Sequence, residues 1–91
     1  MNGRHRIKSD SLSWQQVDDE VVVLDLNRSA YLALNGSAAL LWTGLAERLE
    51  DGVADDDLVA RLIGTYGIEA DRARADVKQF LDESVSLGLV E

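Results

Sequence analysis

The chain of 91 residues contains no cysteine and no proline, and it has a single histidine. Without cysteine there are no disulfides, thiolate metal sites, iron–sulfur clusters or thiol nucleophiles. The histidine, His5, lies in a polar N-terminal segment, so the residues form no recognisable Ser–His–Asp triad. We therefore expect neither an enzyme nor a protein that binds a cofactor or a metal.

Long hydrophobic runs are also missing. No apolar stretch approaches the roughly 18 residues that a membrane span requires. No segment typical of a signal peptide follows the basic residues Arg4, Arg6 and Lys8. Because 46% of the residues are apolar, the composition is typical of one globular domain with a modest core. We expect a cytoplasmic protein without a membrane partner.

Positive charge is scarce, with nine basic residues against seventeen acidic ones and a net charge of −8. Arg4, Arg6 and Lys8 supply three of the nine bases, whereas every acid lies from Asp10 onward. Such an acidic surface repels phosphate backbones, so we expect no nucleic-acid partner.

The first half of the chain predicts a basic arm and a three-stranded meander. Residues 1–10 are polar and lack periodicity, which indicates a flexible basic arm before a domain at 11–91. A first strand begins at Leu12, a polar turn follows at 17–20, and the continuous apolar run Val21–Leu24 is typical of a middle strand.

The third predicted strand runs from Ser29 to Leu34 and lies at an edge of the sheet. It contains no proline and no lysine, the residues that commonly protect an edge from pairing with another chain. The edge is therefore either an aggregation hazard or a binding surface. Tyr31 in this strand either exposes its hydroxyl to water or lines a peptide groove.

Three helices are predicted after the strands: one at about 37–49, one from Asp55 to near Gly67, and a third that ends at Gly88. Strands followed by helices indicate an α+β domain. The short connection before the third helix favours a winged helix-turn-helix, with a three-stranded antiparallel sheet followed by three helices.

The third helix has a wide apolar face. Leu81 and Val85 lie on one shoulder of this face. If that shoulder faces the third strand, a shallow groove opens beside the strand, rimmed by Arg74 and Lys78. Alternatively, Leu81 and Val85 complete the core.

Four motifs resemble one family in their order and spacing. They are Tyr-Leu-Ala-Leu-Asn at 31–35, Ser-Ala-Ala-Leu-Leu-Trp at 37–42, Asp76-Val77 with Phe80-Leu81, and Gly-Leu-Val at 88–90. Together they are similar to the PqqD-like family of RiPP recognition elements, which bind the leader part of a ribosomally made precursor peptide. The chain looks most like the freestanding B1 proteins of lasso-peptide biosynthesis.

The resemblance implies a noncatalytic role. Its members bind the leader as an added antiparallel strand on the third strand, with leader side chains in the groove beside the third helix. It also implies two enzyme partners, a B2-like leader peptidase and a macrolactam synthetase. The candidate peptide-binding residues are then Ser29, Ala30, Tyr31, Leu32, Ala33, Leu34, Arg74, Val77, Lys78, Leu81 and Val85.

The residues alone leave three other functions open. One is a winged-helix DNA-binding protein, which the same order of elements allows. Another is a PqqD-type peptide chaperone of a different modified-peptide pathway. The third is a structural subunit that dimerises through the strand edge.

Overall fold

The computed structural model describes residues 4–91 and contains one three-stranded sheet, one two-stranded ribbon and three helices. The strands are β1 (Arg4–His5), β2 (Leu12–Val17), β3 (Glu20–Asp25), β4 (Ala30–Leu34) and β5 (Val53–Ala54), and the helices are α1 (Gly36–Ala46), α2 (Asp55–Tyr66) and α3 (Ala70–Ser86). A single 3₁₀ turn, Ser9–Ser11, leads into β2.

The three-stranded sheet is antiparallel, with β3 between β2 and β4. The continuous apolar run in β3 explains its central position, because Val21 and Val23 are buried on the inner face while β2 and β4 cover its two edges. Residues 18 and 19 form the hairpin loop between the paired residues Val17 and Glu20. The prediction of a middle strand and two edge strands is confirmed.

The helices follow the sheet in the predicted order. Helix α1 ends at Ala46, three residues earlier than its apolar periodicity indicates. Helix α2 ends where Gly67 adopts a left-handed conformation with φ of 67°, which a residue without a side chain adopts at little cost. Only residues 67–69 separate α2 from α3. The α+β, winged helix-turn-helix fold predicted from the sequence is confirmed.

The core lies between the inner face of the sheet and the three helices. Trp42 of α1 is 1% exposed, and the ring of Trp14 from β2 meets it edge to face, with centroids 5.5 Å apart. Leu62 of α2 and Val77 of α3 are also buried in this cluster. No helix within residues 4–91 is long and apolar enough to cross a membrane.

The N-terminal segment differs from the flexible arm that the sequence predicts. Strand β1 pairs with β5, and Ile7 is 3% exposed and forms a β-bridge with Val90. Arg6 and Glu91 exchange two backbone hydrogen bonds of 3.0 and 2.8 Å. Residues 4–8 therefore belong to the folded unit, because Ile7 enters the core and the backbone around it is paired. Residues 1–3 of the predicted arm lie outside the described residues.

Candidate functional site

Strand β4 has one free edge. It pairs with β3 on one side, and no other strand within residues 4–91 pairs with it on the other. Before β4, Ser29 has a positive φ of 53°, so the chain turns sharply into the strand. The edge is therefore available to a further strand along its whole length.

The ladder pattern identifies the backbone groups at this edge. The N–H of Leu26 donates to the carbonyl oxygen of Ser11 over 2.9 Å, so these two residues form a hydrogen-bonded pair where the ladder between β3 and β2 ends. In an antiparallel ladder, successive residue pairs alternate between hydrogen-bonded and non-hydrogen-bonded. Leu24 therefore bonds to β2, whereas its neighbour Val23 bonds to Leu32 of β4.

The same alternation continues along β4. Ala30, Leu32 and Leu34 direct their backbone groups towards β3. Tyr31 and Ala33 therefore direct their N–H and C=O groups away from the sheet, where an incoming peptide can bond to them.

Side chains alternate across β4 as well. Leu32 and Leu34 are half-buried and packed against the core, whereas Tyr31 and Ala33 are exposed on the outer face of the sheet. A peptide strand added at this edge would alternate in the same way. Its residue opposite Leu32 would point to the helix side, and its residues opposite Tyr31 and Ala33 would point outwards.

A small apolar cavity of about 130 Å³ opens beside β4 on the helix side. Leu87 and Leu89, which follow α3, form its wall opposite Ala30 and Leu32. The remaining lining residues are Val23, Asp25, Arg28 and Tyr31. This cavity is deep enough for one apolar side chain of a peptide bound at the edge.

Arg28 lies at one end of the cavity and connects the two elements that enclose it. Its Nη1 donates to the carbonyl oxygen of Leu87 over 3.0 Å. Asp25 Oδ1 accepts the backbone N–H groups of Asn27 and Arg28 over 3.1 and 3.2 Å, which shapes the turn before β4. Asp25 Oδ2 also lies 3.8 Å from Arg28 Nε, so this end of the cavity carries an ion pair, whereas the rest of its lining is largely apolar.

The face of α3 that continues from Leu87 carries Phe80. The two residues are seven apart, which is about two helical turns, so they lie on the same side of the helix. Phe80 is half-buried and packed against the core. We use the name β4 groove for the cavity beside β4 together with the inner face of β4 that borders it, formed by Ala30, Leu32, Leu34, Leu87 and Leu89.

The predicted groove residues of α3 lie elsewhere, which corrects the prediction from the sequence. Arg74, Val77, Lys78 and Leu81 line a different cavity of about 420 Å³. It lies between β1, the start of α2 and α3, where it is also lined by His5, Asp55, Asp56, Val59 and Asp82.

The orientation of α3 explains the difference. Val77 and Leu81 are 2% and 5% exposed, so both lie in the core. The alternative in which Leu81 and Val85 complete the core therefore holds for Leu81 but not for Val85. Val85 is 50% exposed and lines neither of these two cavities. Lys78 projects about 160° around the helix from Phe80. Among the residues of α3 and those after it, only Leu87 and Leu89, which follow α3, line the cavity beside β4.

Charges around the larger cavity are largely paired within the chain. Lys78 Nζ lies 2.7 Å from Asp82 Oδ2, and the hydrogen bond and charge of Asp82 raise the pKa of Lys78. Arg74 Nη1 lies 3.2 Å from Asp71 Oδ1, and His5 Nε2 lies 2.6 Å from Asp55 Oδ1. Within residues 4–91 no group of three or more His, Cys, Asp or Glu side chains could hold a metal ion.

Sequence reasoning missed Arg28, Leu87 and Leu89 as residues of the candidate site. Leu87 and Leu89 are apolar and lie where the third helix was expected to end, but their spacing does not indicate that they approach β4. The hydrogen bond from Arg28 to Leu87 spans 59 positions and left no local signal.

Comparisons with known proteins identify the family of this chain. The model of the family described as coenzyme PQQ synthesis protein D (PqqD) matches residues 20–90. A search of curated proteins found no match.

Two solved structures are similar over nearly the whole chain. "TbiB1 in Complex with the TbiA(beta) Leader Peptide" has a TM-score of 0.84 at 26% identity and covers 94% of each chain. "Lasso peptide synthetase B1 complexed with the leader peptide" has a TM-score of 0.78 at 27% identity, over 98% of this chain and 99% of the other. The chain therefore belongs to the PqqD family and is a PqqD-like RiPP recognition element.

Proposed function

We propose that this protein binds the leader region of a ribosomally synthesised precursor peptide as an extra strand at the free edge of β4. The observation that carries the proposal is this unpaired edge, which lies beside the β4 groove. Main-chain hydrogen bonds supply affinity in strand addition, and pockets for alternate side chains supply specificity. The two similar structures, each solved with a leader peptide, support the same partner.

The binding residues follow from the ladder. Tyr31 and Ala33 provide the backbone groups, and the flanking Ser29 extends the edge by one position. Ala30, Leu32 and Leu34 provide the apolar wall of the groove on the strand side, and Leu87 and Leu89 provide it on the helix side.

The free energies expected from hydrogen bonds and buried side chains are large enough for measurable leader binding. Each backbone hydrogen bond contributes about 0.5–1.5 kcal/mol, and each buried apolar side chain of the leader contributes about 1.5–3 kcal/mol. The backbone groups of Tyr31 and Ala33 together with two such side chains must offset the ordering of a flexible peptide. These contributions total about 5–12 kcal/mol before that cost, so the net binding free energy reaches at most about −8 kcal/mol, a Kd in the micromolar range or weaker.

We propose a noncatalytic role in the cytoplasm, where the protein presents the bound precursor to separate enzymes. In a lasso-peptide pathway these are a B2-like leader peptidase and a macrolactam synthetase. The support is the similarity to B1 proteins. Three other interpretations remain alternatives to this role: a DNA-binding winged helix, a PqqD-type peptide chaperone of a different modified-peptide pathway, and a dimerising structural subunit.

The test is a titration of the purified protein with a fluorescein-labelled synthetic leader, taken from the precursor gene that neighbours its own. We expect saturable binding near micromolar concentration and little response to a scrambled leader. Failure to bind up to high micromolar concentration would contradict the proposal. Salt-dependent binding to random duplex DNA would instead favour the winged-helix alternative.

A further inference from the structure

The outer face of the three-stranded sheet is nearly free of charge. Alternation along the three strands places Ser13, Gln15, Val17, Val22, Leu24, Tyr31 and Ala33 on this face. Glu20, beside the hairpin loop, is its one charged position in the three strands. The chain as a whole is 29% charged, so an uncharged sheet face that no helix covers is unusual within it.

The apolar part of this face borders the free edge of β4. Leu24 and Tyr31 are direct cross-strand partners and are 45% and 74% exposed. Val22 and Ala33 form the next outward-facing pair. We call these four residues the Tyr31 patch. Its two β4 members are the residues whose backbone groups point to the free edge.

We propose that the Tyr31 patch contacts the outward-facing side chains of the bound leader, so that the leader is recognised on both faces of the added strand. The inference rests on the proposed function. A leader residue bonded to Tyr31 has its Cα about 5.5 Å from that of Tyr31 and its side chain on the same face. The Tyr31 ring therefore contacts this side chain directly.

The chemistry of the patch specifies the chemistry of its occupant. Aromatic and β-branched side chains pair well with an aromatic residue across two strands. A charged leader side chain would gain no ion pair from Val22, Leu24, Tyr31 or Ala33. Because Ala33 has a small side chain, it leaves space beside the Tyr31 ring for a larger leader residue. We infer an uncharged aromatic or β-branched leader residue opposite Tyr31, between the two residues that enter the β4 groove.

Peptide selection tests this inference without knowledge of the natural leader. A random twelve-residue library displayed on phage is selected against the unmodified protein, Tyr31→Thr and Tyr66→Thr. Threonine is well suited to a strand, so the first variant removes the ring and keeps β4 intact. Tyr66, 48% exposed at the end of α2, supplies the same chemical change away from the sheet.

We expect the side-chain preferences of peptides selected by the unmodified protein to alternate along the peptide. Two groove positions should be apolar, and the position between them should be aromatic or β-branched. Tyr31→Thr should remove the preference at the middle position only and weaken a selected peptide about two- to fivefold. Tyr66→Thr should change neither the preference nor the affinity.

The outcomes separate this inference from the function on which it rests. If no library peptide is enriched, the proposed leader binding itself fails. If the groove positions are enriched but the middle position shows no preference, or one that Tyr31→Thr leaves intact, only the further inference is overturned. If light scattering shows a dimer that Tyr31→Thr dissociates while peptide preference stays the same, the patch contacts a second copy and the inference is wrong.

Discussion

Arg28 and Leu87 are joined by a 3.0 Å hydrogen bond from the guanidinium Nη1 to the carbonyl oxygen. The bond connects the turn before β4 to the residue that ends α3, so it holds one end of the β4 groove. At Gly88, φ is 77° and an added Cβ would lie 3.3 Å from Arg28 Nη2, which shows how closely the two segments approach. The width of the β4 groove therefore depends on the side chain of Arg28, which belongs to neither β4 nor α3.

Arg28→Met should weaken leader binding several-fold, because methionine keeps the apolar stem but cannot donate to Leu87. The free energy of unfolding should fall by only about 0.5–1.5 kcal/mol, the contribution of one hydrogen bond. Fluorescence titration with the leader and urea unfolding measure the two effects. Arg48→Met, at an exposed position after α1, is the control, and an equal loss of affinity in it would contradict a specific role for Arg28.

Ala33→Pro should abolish leader binding while the protein stays folded. The N–H of Ala33 points to the free edge, so proline removes a donor for the peptide and none for β3. Gln16→Pro makes the matched change on β2, where the same alternation directs the N–H of Gln16 to the opposite edge. The control variant should bind the leader normally, and circular dichroism should show both variants folded. Unchanged affinity in Ala33→Pro would exclude strand addition at β4.

Leu87→Asp and Val85→Asp distinguish the two sides of α3. The side chains are similarly exposed, at 44% and 50%, but only Leu87 lines the cavity beside β4. Leu87→Asp places a charge in an apolar wall and should weaken leader binding at least tenfold. Val85→Asp should leave the affinity within twofold. The reverse result in the titration would restore the groove position predicted from the sequence.

Leu81→Asp should unfold the protein rather than abolish binding alone. Leu81 is 5% exposed, and an unpaired carboxylate in the core costs several kcal/mol, comparable with the stability of a small domain. Circular dichroism and thermal unfolding check this. A folded Leu81→Asp variant that no longer binds the leader would contradict the core position of this residue.

Ile7→Ala should lower the free energy of unfolding by about 2–5 kcal/mol, because it removes buried methyl groups and leaves a cavity. Lys8→Ala, at the exposed neighbouring position, should change it by less than about 0.5 kcal/mol. Urea unfolding monitored by tryptophan fluorescence measures both. Equal stability of the two variants would mean that the N-terminal segment behaves as the flexible arm that its composition indicates.

The sequence predicted the elements with strong periodicity. Val21–Leu24 identified the middle strand because a run of β-branched residues suits a position with a neighbour on each edge. Glycine at positions 67 and 88 marked the ends of α2 and α3 because both adopt a positive φ there.

The two-residue strands β1 and β5 were not predictable in the same way. Arg4–His5 and Val53–Ala54 are too short to carry a period, and they pair because the chain ends meet when Ile7 and Val90 enter the core. Tertiary contacts thus decided the structure of residues 4–8 against their polar composition.

The candidate site combines strand residues that the sequence predicted with Leu87 and Leu89, which it did not predict. Periodicity gives the angular width of an apolar face, and it does not say which shoulder of that face meets a given strand. For α3 both shoulders carry apolar residues, Val85 on one and Phe80 on the other. Only the tertiary structure shows that Leu87, bonded to Arg28, borders β4.

The hydrogen-bonded backbones of Arg6 and Glu91 make the chain suitable for circular permutation. Because these residues are hydrogen-bonded neighbours, a short glycine-rich linker can join Glu91 to the segment that begins at Arg4. New ends can then be opened in the exposed turn at 47–51 between α1 and β5. In a circularly permuted protein of this kind, α3 would precede β4 in the chain and the linker would lie between them, and the new ends offer a way to fuse a reporter to the domain.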